Sequence, residues 1–489
     1  MFESILGNGK RENSKILPFF VDFNLTDLLS RAASLVKKNE VCDLYYEMPG
    51  SREEVLYRRN VSGDMMKGTI REAFWKYATQ IAKAEEYESN ARFSNVEFQA
   101  EKYHMDALYL FHTSMEELKK TLQENEISQE LSELLEYIVE YENSAQCRQW
   151  MNIVTEIHEA LDANVQFFSI SEDRVLLRKK DDNQDLADRF YTAFGLEKPE
   201  EKVVYRREGE VLTAFEARFA KKMIVNEKLE KKLRLLQKYE MDETLLQVAR
   251  EVWLYLSFFK VKEQMERAGY TFSLPEEGDV LEIENGIDLG MALHEKHVVG
   301  NSIQMREGER FLVITGANGG GKTTFARMVG QIVYLAMMGL PIPAKSGKIP
   351  YYSTIFSHFS KEESLETGKG KLKEELDRLA PMMQGQERRA FIVLNELFTT
   401  AASYDAEIMG HRVMDHFIGH DCTGIYVTHI QALARGREEV VSLVAELDPV
   451  SKTRTFEIVR KPAEEGEYEN SIIAKYDMVY QQMKGVMKS

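Results

Sequence analysis

One stretch constrains the fold more than any other. Phe311-Leu312-Val313-Ile314-Thr315 is an apolar, β-branched run. It leads directly into Gly316-Ala317-Asn318-Gly319-Gly320-Gly321-Lys322-Thr323-Thr324. Phe325 to Val333 then continues with helical spacing. Strand, glycine loop and helix in that order form a unit that needs a parallel sheet to sit in. The residue types also point to a ligand. Glycines let the backbone curl so that several N–H groups aim at one phosphate group. Lys322 supplies a point charge for β and γ phosphates, and the Thr323 hydroxyl can ligate Mg²⁺. The N-terminus of the helix adds its positive dipole end. The alternative is a glycine turn with no ligand. The full pattern in its required context favours a nucleoside triphosphate with Mg²⁺.

The surrounding texture sets the fold class. Beyond Thr271-Phe272-Ser273-Leu274-Pro275, short strand patterns alternate with helical ones: Val280–Ile283, Phe311–Thr315, Phe391–Leu394 and Gly424–Thr428. Such alternation implies a mainly parallel sheet with helices on both faces. Before the boundary the chain reads as helix. Only 10 prolines and 29 glycines in 489 residues agree with that. Thr26 is placed to cap a helix through Lys38, with Leu28, Leu29, Ala32, Leu35 and Val36 on one face. Cys42–Asn60 reads as an irregular connection with a turn at Pro49-Gly50-Ser51. Ile70 to about Glu142 reads as long helix, and Glu156–Ile170 ends in a short strand. Glu172–Arg207 has the charge runs of a linker or excursion, Leu212–Gly269 is again mostly helical, and Lys475–Ser489 suggests a short terminal helix. The expected architecture is an N-terminal all-helical core and lever region, 1–270. A P-loop NTPase domain with a mainly parallel sheet follows, 271–489.

Hydrolysis needs more than a phosphate loop. Phe391-Ile392-Val393-Leu394 ends in Asn395-Glu396, which would bring a carboxylate close to Mg²⁺ and the γ-phosphate. Glu396 is placed to orient or deprotonate the attacking water. Asn395 could reach Mg²⁺ through its amide oxygen without bringing charge. The Gly424–Val427 run ends in Thr428-His429, and His429 could sense the γ-phosphate. The other reading of both residues is a structural strand end. No Asn-Lys-x-Asp sequence occurs, which favours ATP over GTP.

Charge and cysteines narrow the setting. The net charge of −17 opposes diffuse attraction to nucleic acid or to an anionic membrane. Cys42, Cys147 and Cys422 lie far apart and show no metal-ligand spacing. No signal-length or membrane-length apolar run is found, so the expectation is a cytoplasmic protein with no membrane partner. The most basic stretch runs from Lys221 and Lys222 through Lys231 and Lys232 to Lys238. It reads either as a phosphate-binding surface or as a solvated helix face. Glu227 four residues before Lys231, and Glu230 four before Arg234, support the second.

With these residues in hand, the chain resembles the MutS family of mismatch-repair ATPases. Thr315 to Thr324 is similar to that family's Thr-Gly-Pro-Asn-Met-Gly-Gly-Lys-Ser-Thr. Met338-Gly339-Leu340-Pro341-Ile342-Pro343-Ala344 matches its Gly-x-x-Val-Pro-Ala. Glu366 to Glu375 resembles the family signature Ser-Gly-Arg-Ser-Thr-Phe-x-x-Glu and keeps Gly368 and Glu375. Tyr404-Asp405 and Thr428-His429 echo further family positions. The likeness is strong over about 250–489 and fainter, by pattern, over the helical half. It implies a homodimer in which each ATP site is completed by the neighbour's Thr367, Gly368, Lys369, Gly370 and Lys371. ATP would then close a clamp around a polymer. Asn395 stands where the family has Asp, and Gly370 where it has Ser. Val298 stands where an aromatic usually stacks on adenine, with His297 adjacent. No Phe-x-Glu triplet, the family's mismatch reader, occurs in the chain, so direct mismatch reading is not expected.

Two functions follow. The first is an ATP-gated dimeric clamp on DNA, related to DNA mismatch repair and contacting phosphates through Lys221, Lys222, Lys231 and Lys232. The alternative is an ATP-driven module acting on a protein or a ribonucleoprotein such as the ribosome. A third possibility is an ATP binder that barely turns over.

Overall fold

A computed structural model describes residues 2–7, 16–38, 40–162, 167–171, 174–178, 193–195, 227–295, 297–359, 371–384, 389–448, 451 and 453–463. The chain divides into two units. One comprises Met1–Phe2 and Glu72–Arg250, the other Glu3–Arg71 and Glu251–Ser489. The chain crosses between the two units at 2/3, 71/72 and 250/251, whereas the sequence suggested a single change near 270. The reason lies in packing: residues 16–65 fold against the helix that follows the glycine loop, as described below.

The first unit is helical among its described residues, apart from one antiparallel pair, β1 (Phe167–Ser171) and β2 (Arg174–Arg178). The long helix expected from Ile70 to Glu142 is three helices: Gly68–Phe93, Glu97–Glu124 and Gln129–Asn143. Ser128 causes the last restart, because its hydroxyl accepts from Leu131 N and caps the new helix. Ala145–Asp162, Glu227–Leu236 and Glu243–Glu251 follow. Leu229, Leu233 and Leu236 recur at helical spacing and are buried, while the charged residues between them face outward.

The second unit is built on a six-stranded sheet and a four-stranded one. The smaller contains β3 (Glu276–Glu277), β4 (Glu282–Gly286), β5 (Asn301–Gln304) and β7 (Ser346–Ile349), in the order β3-β7-β4-β5. The larger contains β6 (Phe311–Gly316), β8 (Ile355–Phe359), β9 (Phe391–Asn395) and β10 (Thr423–Val427). It is completed by β11 (Val440–Leu447) and β12 (Arg454–Arg460). Its order is β12-β11-β6-β10-β9-β8. All neighbours pair in parallel except the edge strand β12, which runs antiparallel to β11. β9 and β10 are buried along their whole length, as a sheet covered on both faces requires. The carboxyl ends of β6, β9 and β10 lie in register: Val427 pairs with both Ile314 and Asn395. Loops at that edge of a parallel sheet are where such folds place ligands.

The N-terminal segment belongs to this unit for a specific reason. The helix Lys322–Met337 is apolar on nearly every side. Phe19 and Phe20 pack their rings on Tyr334, at centroid distances of 5.9 and 5.3 Å. Tyr334 donates to Tyr45 O at 2.7 Å, and Gln331 Nε2 to Phe23 O at 2.8 Å. Two local expectations change here. Thr26 caps nothing, because the helix Leu25–Val36 starts from Asn24 in left-handed backbone, φ 56°, directly after the helix Pro18–Asp22. Cys42–Asn60 is helix rather than irregular chain: Val41–Tyr46 and Arg52–Met65 flank the turn at 49–51. There Ser51 accepts from Glu54 N, an N-cap with its Ser-x-x-Glu signature. The tail 475–489 and nearly all of 172–207 lie outside the described residues.

Candidate functional site

The glycine loop joins β6 to the helix Lys322–Met337 at the carboxyl edge of the sheet. Gly316, Gly319 and Gly321 have φ values of 114°, 69° and 93°. Side chains rarely adopt such angles, so the curl of this loop needs glycine at those positions. At Gly316 space also demands it, since a Cβ would lie 3.1 Å from Ala445 N on the neighbouring strand. Ala317, Asn318 and Gly320 complete the curve, and Thr323 and Thr324 open the helix.

Lys322 is buried at the start of that helix, only 4% exposed. Its Nζ donates to Gly316 O at 2.8 Å and Ala317 O at 3.0 Å. Burial pushes its pKa below the usual lysine range, and the charge of Glu396 pulls the other way. A buried ammonium facing neutral carbonyls at a helix N-terminus is a receptor for an anion.

Thr323 Oγ1 donates to Asn395 Oδ1 at 3.1 Å. Asn395 ends β9 and is buried. This spacing suits Mg²⁺: two ligands at about 2.1 Å in octahedral geometry stand about 3.0 Å apart. The donor set fits a hard cation that keeps most of its waters, with no charge from Asn395 to hold it. Glu396 follows in left-handed backbone, φ 55°, with its N–H donating to Val427 O at 2.9 Å. The strand's exit is thereby turned back, and the carboxylate reaches the same cavity as the loop. His429 Nε2 lies 3.4 Å from Glu396 Oε1, so His429 stands beside the carboxylate. Further along, Phe398 is again left-handed, φ 62°. Its N–H donates to the buried Glu375 Oε2 at 3.0 Å, which ties this loop to the helix Lys371–Gln384.

The cavity holds about 270 Å³. One wall is the loop from Asn318 to Thr324, with Glu396 beside it. The rest of the lining was not read from the sequence beyond His297 and Val298. It also contains Met291, Val299, Asn301 and Phe456. Phe456 comes from β12, about 130 residues after the loop, and no local pattern announces it.

The lysine stretch is only partly described. Lys221 and Lys222 lie outside the described residues. Lys231 Nζ sits 2.9 Å from Glu227, and Lys232 pairs with Glu156. Arg234 pairs with Glu230 at 3.1 Å. These groups behave as the solvated face that the i, i+4 spacing suggested. Of the signature segment, Thr367, Gly368, Lys369 and Gly370 lie outside the described residues, and Lys371 begins the helix Lys371–Gln384. Among the described residues no helix is long and apolar enough to cross a membrane.

Comparison with known proteins matches residues 312–473 to the family model for MutS domain V. That span runs from β6 through β12 and includes the glycine loop, Asn395, Glu396 and His429. The chain is 28% identical over 155 residues to the DNA mismatch repair protein MutS of Thermotoga sp. strain RQ2, covering 32% of this chain and 20% of that protein. It is 28% identical over 173 residues to the DNA mismatch repair protein MutS of Persephonella marina, covering 35% and 20%. It is 29% identical over 127 residues to the DNA mismatch repair protein MSH3 of Pyricularia oryzae, covering 26% and 11%. The alignments thus span about a fifth or less of these relatives' own length. Over residues 312–473 the chain is similar to domain V of the MutS family.

Proposed function

We propose that the chain binds Mg-ATP in the cradle Gly316–Thr324 and hydrolyses it slowly, and that it works as a nucleotide-gated homodimer on DNA. One observation carries the nucleotide reading. Buried Lys322 donates to two loop carbonyls at a helix N-terminus, directly beside the Thr323–Asn395 pair. In this reading Thr323 and Asn395 hold Mg²⁺, which would supply charge neutralisation of the phosphates. Glu396 orients the attacking water, and His429 fixes the Glu396 carboxylate. Asn395 brings no charge to the metal, which weakens its hold and supports slow turnover.

The DNA reading rests on the family relation. The relatives above are named for DNA mismatch repair, which favours DNA over the ribosome-directed alternative. The homodimer has independent support: Tyr404 and Ile408, one turn apart on the helix Ser403–Gly419, are both exposed. Exposed apolar side chains on one helix face suit a second copy of the chain.

Phosphate release from Mg-ATP tests the catalytic assignment. Glu396→Gln should lower kcat by about 100-fold or more while leaving Mg-ATP binding intact. Lys322→Ala should abolish binding. Turnover in Glu396→Gln equal to the parent protein's would remove Glu396 from the reaction.

A further inference from the structure

The helical unit holds a polar cluster that the nucleotide reading does not use. The helix Glu97–Glu124 buries Leu108, Phe111, Met115, Leu118 and Leu122 at helical spacing. The helix Gln129–Asn143 buries Leu131, Leu134 and Ile138 in the same way and packs against it. Two positions interrupt this apolar seam. His112 lies four residues after Leu108, and Glu142 four after Ile138. An apolar side chain at either position would serve packing alone.

Polar groups placed there cost stability unless they are bonded. Glu142 Oε2 accepts from Lys119 Nζ at 2.6 Å, but Oε1 is buried without a hydrogen-bond partner among the described residues. His112 is only 9% exposed. Its Nε2 likewise has no partner among the described residues. Its Nδ1 stands 3.7 Å from Glu116 Oε2, too far for a hydrogen bond. Glu116, one turn on from His112, is half exposed, so the cluster opens to solvent on that side. The Trp150 ring packs perpendicular to the imidazole, at a centroid distance of 6.0 Å.

One donor atom from each of His112, Glu116 and Glu142 lies within 4.8 Å of the other two. Ligands held at about 2.0–2.1 Å around a tetrahedral ion stand about 3.3 Å apart, so a small turn of the exposed Glu116 side chain closes the set. Charge points the same way. Two carboxylates against the single ammonium of Lys119 leave one negative charge in excess beside the imidazole. Lys119 holds Oε2 and leaves Oε1 of the same carboxylate for an ion, as an outer partner of a ligand does.

We propose that His112, Glu116 and Glu142 bind a divalent transition cation, Zn²⁺ by their chemistry, and that the ion clamps the helix Glu97–Glu124 to the helix Gln129–Asn143. The imidazole selects against Mg²⁺ and Ca²⁺, which take oxygen ligands. The site belongs to the helical unit alone and needs no nucleotide.

Calorimetric titration of the nucleotide-free full chain with Zn²⁺ tests this. The parent protein should bind Zn²⁺, and excess Mg²⁺ should not displace it. Glu116 is half exposed, so Glu116→Gln should fold, and it should weaken Zn²⁺ by more than about tenfold, the least that even outer-shell partners cost. His112→Gln should do the same. Zn²⁺ should raise the thermal midpoint of the parent protein and leave that of Glu116→Gln in place. Co²⁺ in its stead should give visible absorption with no sulfur-to-metal band, since the ligands are nitrogen and oxygen. His416 and His420, with ring centroids 4.4 Å apart, are a second pair able to hold zinc. His416→Ala should therefore leave the affinity unchanged. No heat from the parent protein, displacement by Mg²⁺, parent-like affinity in Glu116→Gln, a sulfur-to-metal band, or loss of binding in His416→Ala would each overturn the assignment.

Discussion

At the scale of single residues, buried polar groups show where this chain gives up stability. His358 on β8 is buried. Burial, with the nearby Arg378 charge, pushes its pKa down from 6.5 to about 4. The folded state therefore holds fewer protons than the unfolded one between those values. Stability from this group is intact above the unfolded pKa and is lost as pH falls towards the folded one. By pH 4.5 the loss should reach about 2 kcal/mol. Urea midpoints at pH 7 and pH 4.5 measure it, and His358→Leu should flatten this part of the acid limb. An unchanged acid limb in that variant would mean that other groups carry the effect. The glycine loop is the contrasting case. Each of its residues could be assigned from sequence, because its chemistry is local: glycines for curl, lysine for charge, threonine for the metal. Phe456, which lines the same cavity, could not, because its placement depends on Asn301, a residue about 150 positions away that bonds the backbone on either side of it.

At the scale of elements, the helix Lys322–Met337 decides which parts of the chain travel together. Gly330 meets the Phe23 ring, and a Cβ there would lie 2.6 Å from it. Two effects compete in Gly330→Ala. Helix propensity favours alanine by about 1 kcal/mol. Overpacking against a buried aromatic costs about 1–3 kcal/mol. The clash should win, so Gly330→Ala should lower the urea midpoint, and a raised midpoint would show that Phe23 moves aside freely. Strands β6, β9 and β10 were legible to within about one residue because they are fully buried runs bounded by polar ends. Strands β11 and β12 were not read, because burial alternates irregularly along both and leaves no clean period. The contact units divide the chain differently from its composition for a related reason. Composition changes near 270, but the contacts of Phe19, Phe20 and Phe23 with Tyr334 and Gly330 join positions some 300 residues apart. Helical spacing shows that those rings are buried and cannot say against what.

At the scale of the whole molecule, the net charge of −17 makes any grip on DNA a local matter. Lys231 and Lys232 are already matched by Glu227 and Glu156. Reversing both to Glu should change the salt dependence of DNA binding little. If the slope of log affinity against log salt instead falls by about 2, both lysines contact phosphate directly. Everything larger depends on nucleotide. A dimer that closes on ATP and a Glu396→Gln variant that binds without turnover both require the cradle to be filled. The most direct measurement is calorimetric titration of the full chain with Mg-ATP, with Lys322→Ala as its control. The account predicts saturable heat for the parent protein and none for Lys322→Ala. No heat from the parent protein, or equal heat from both, would contradict it.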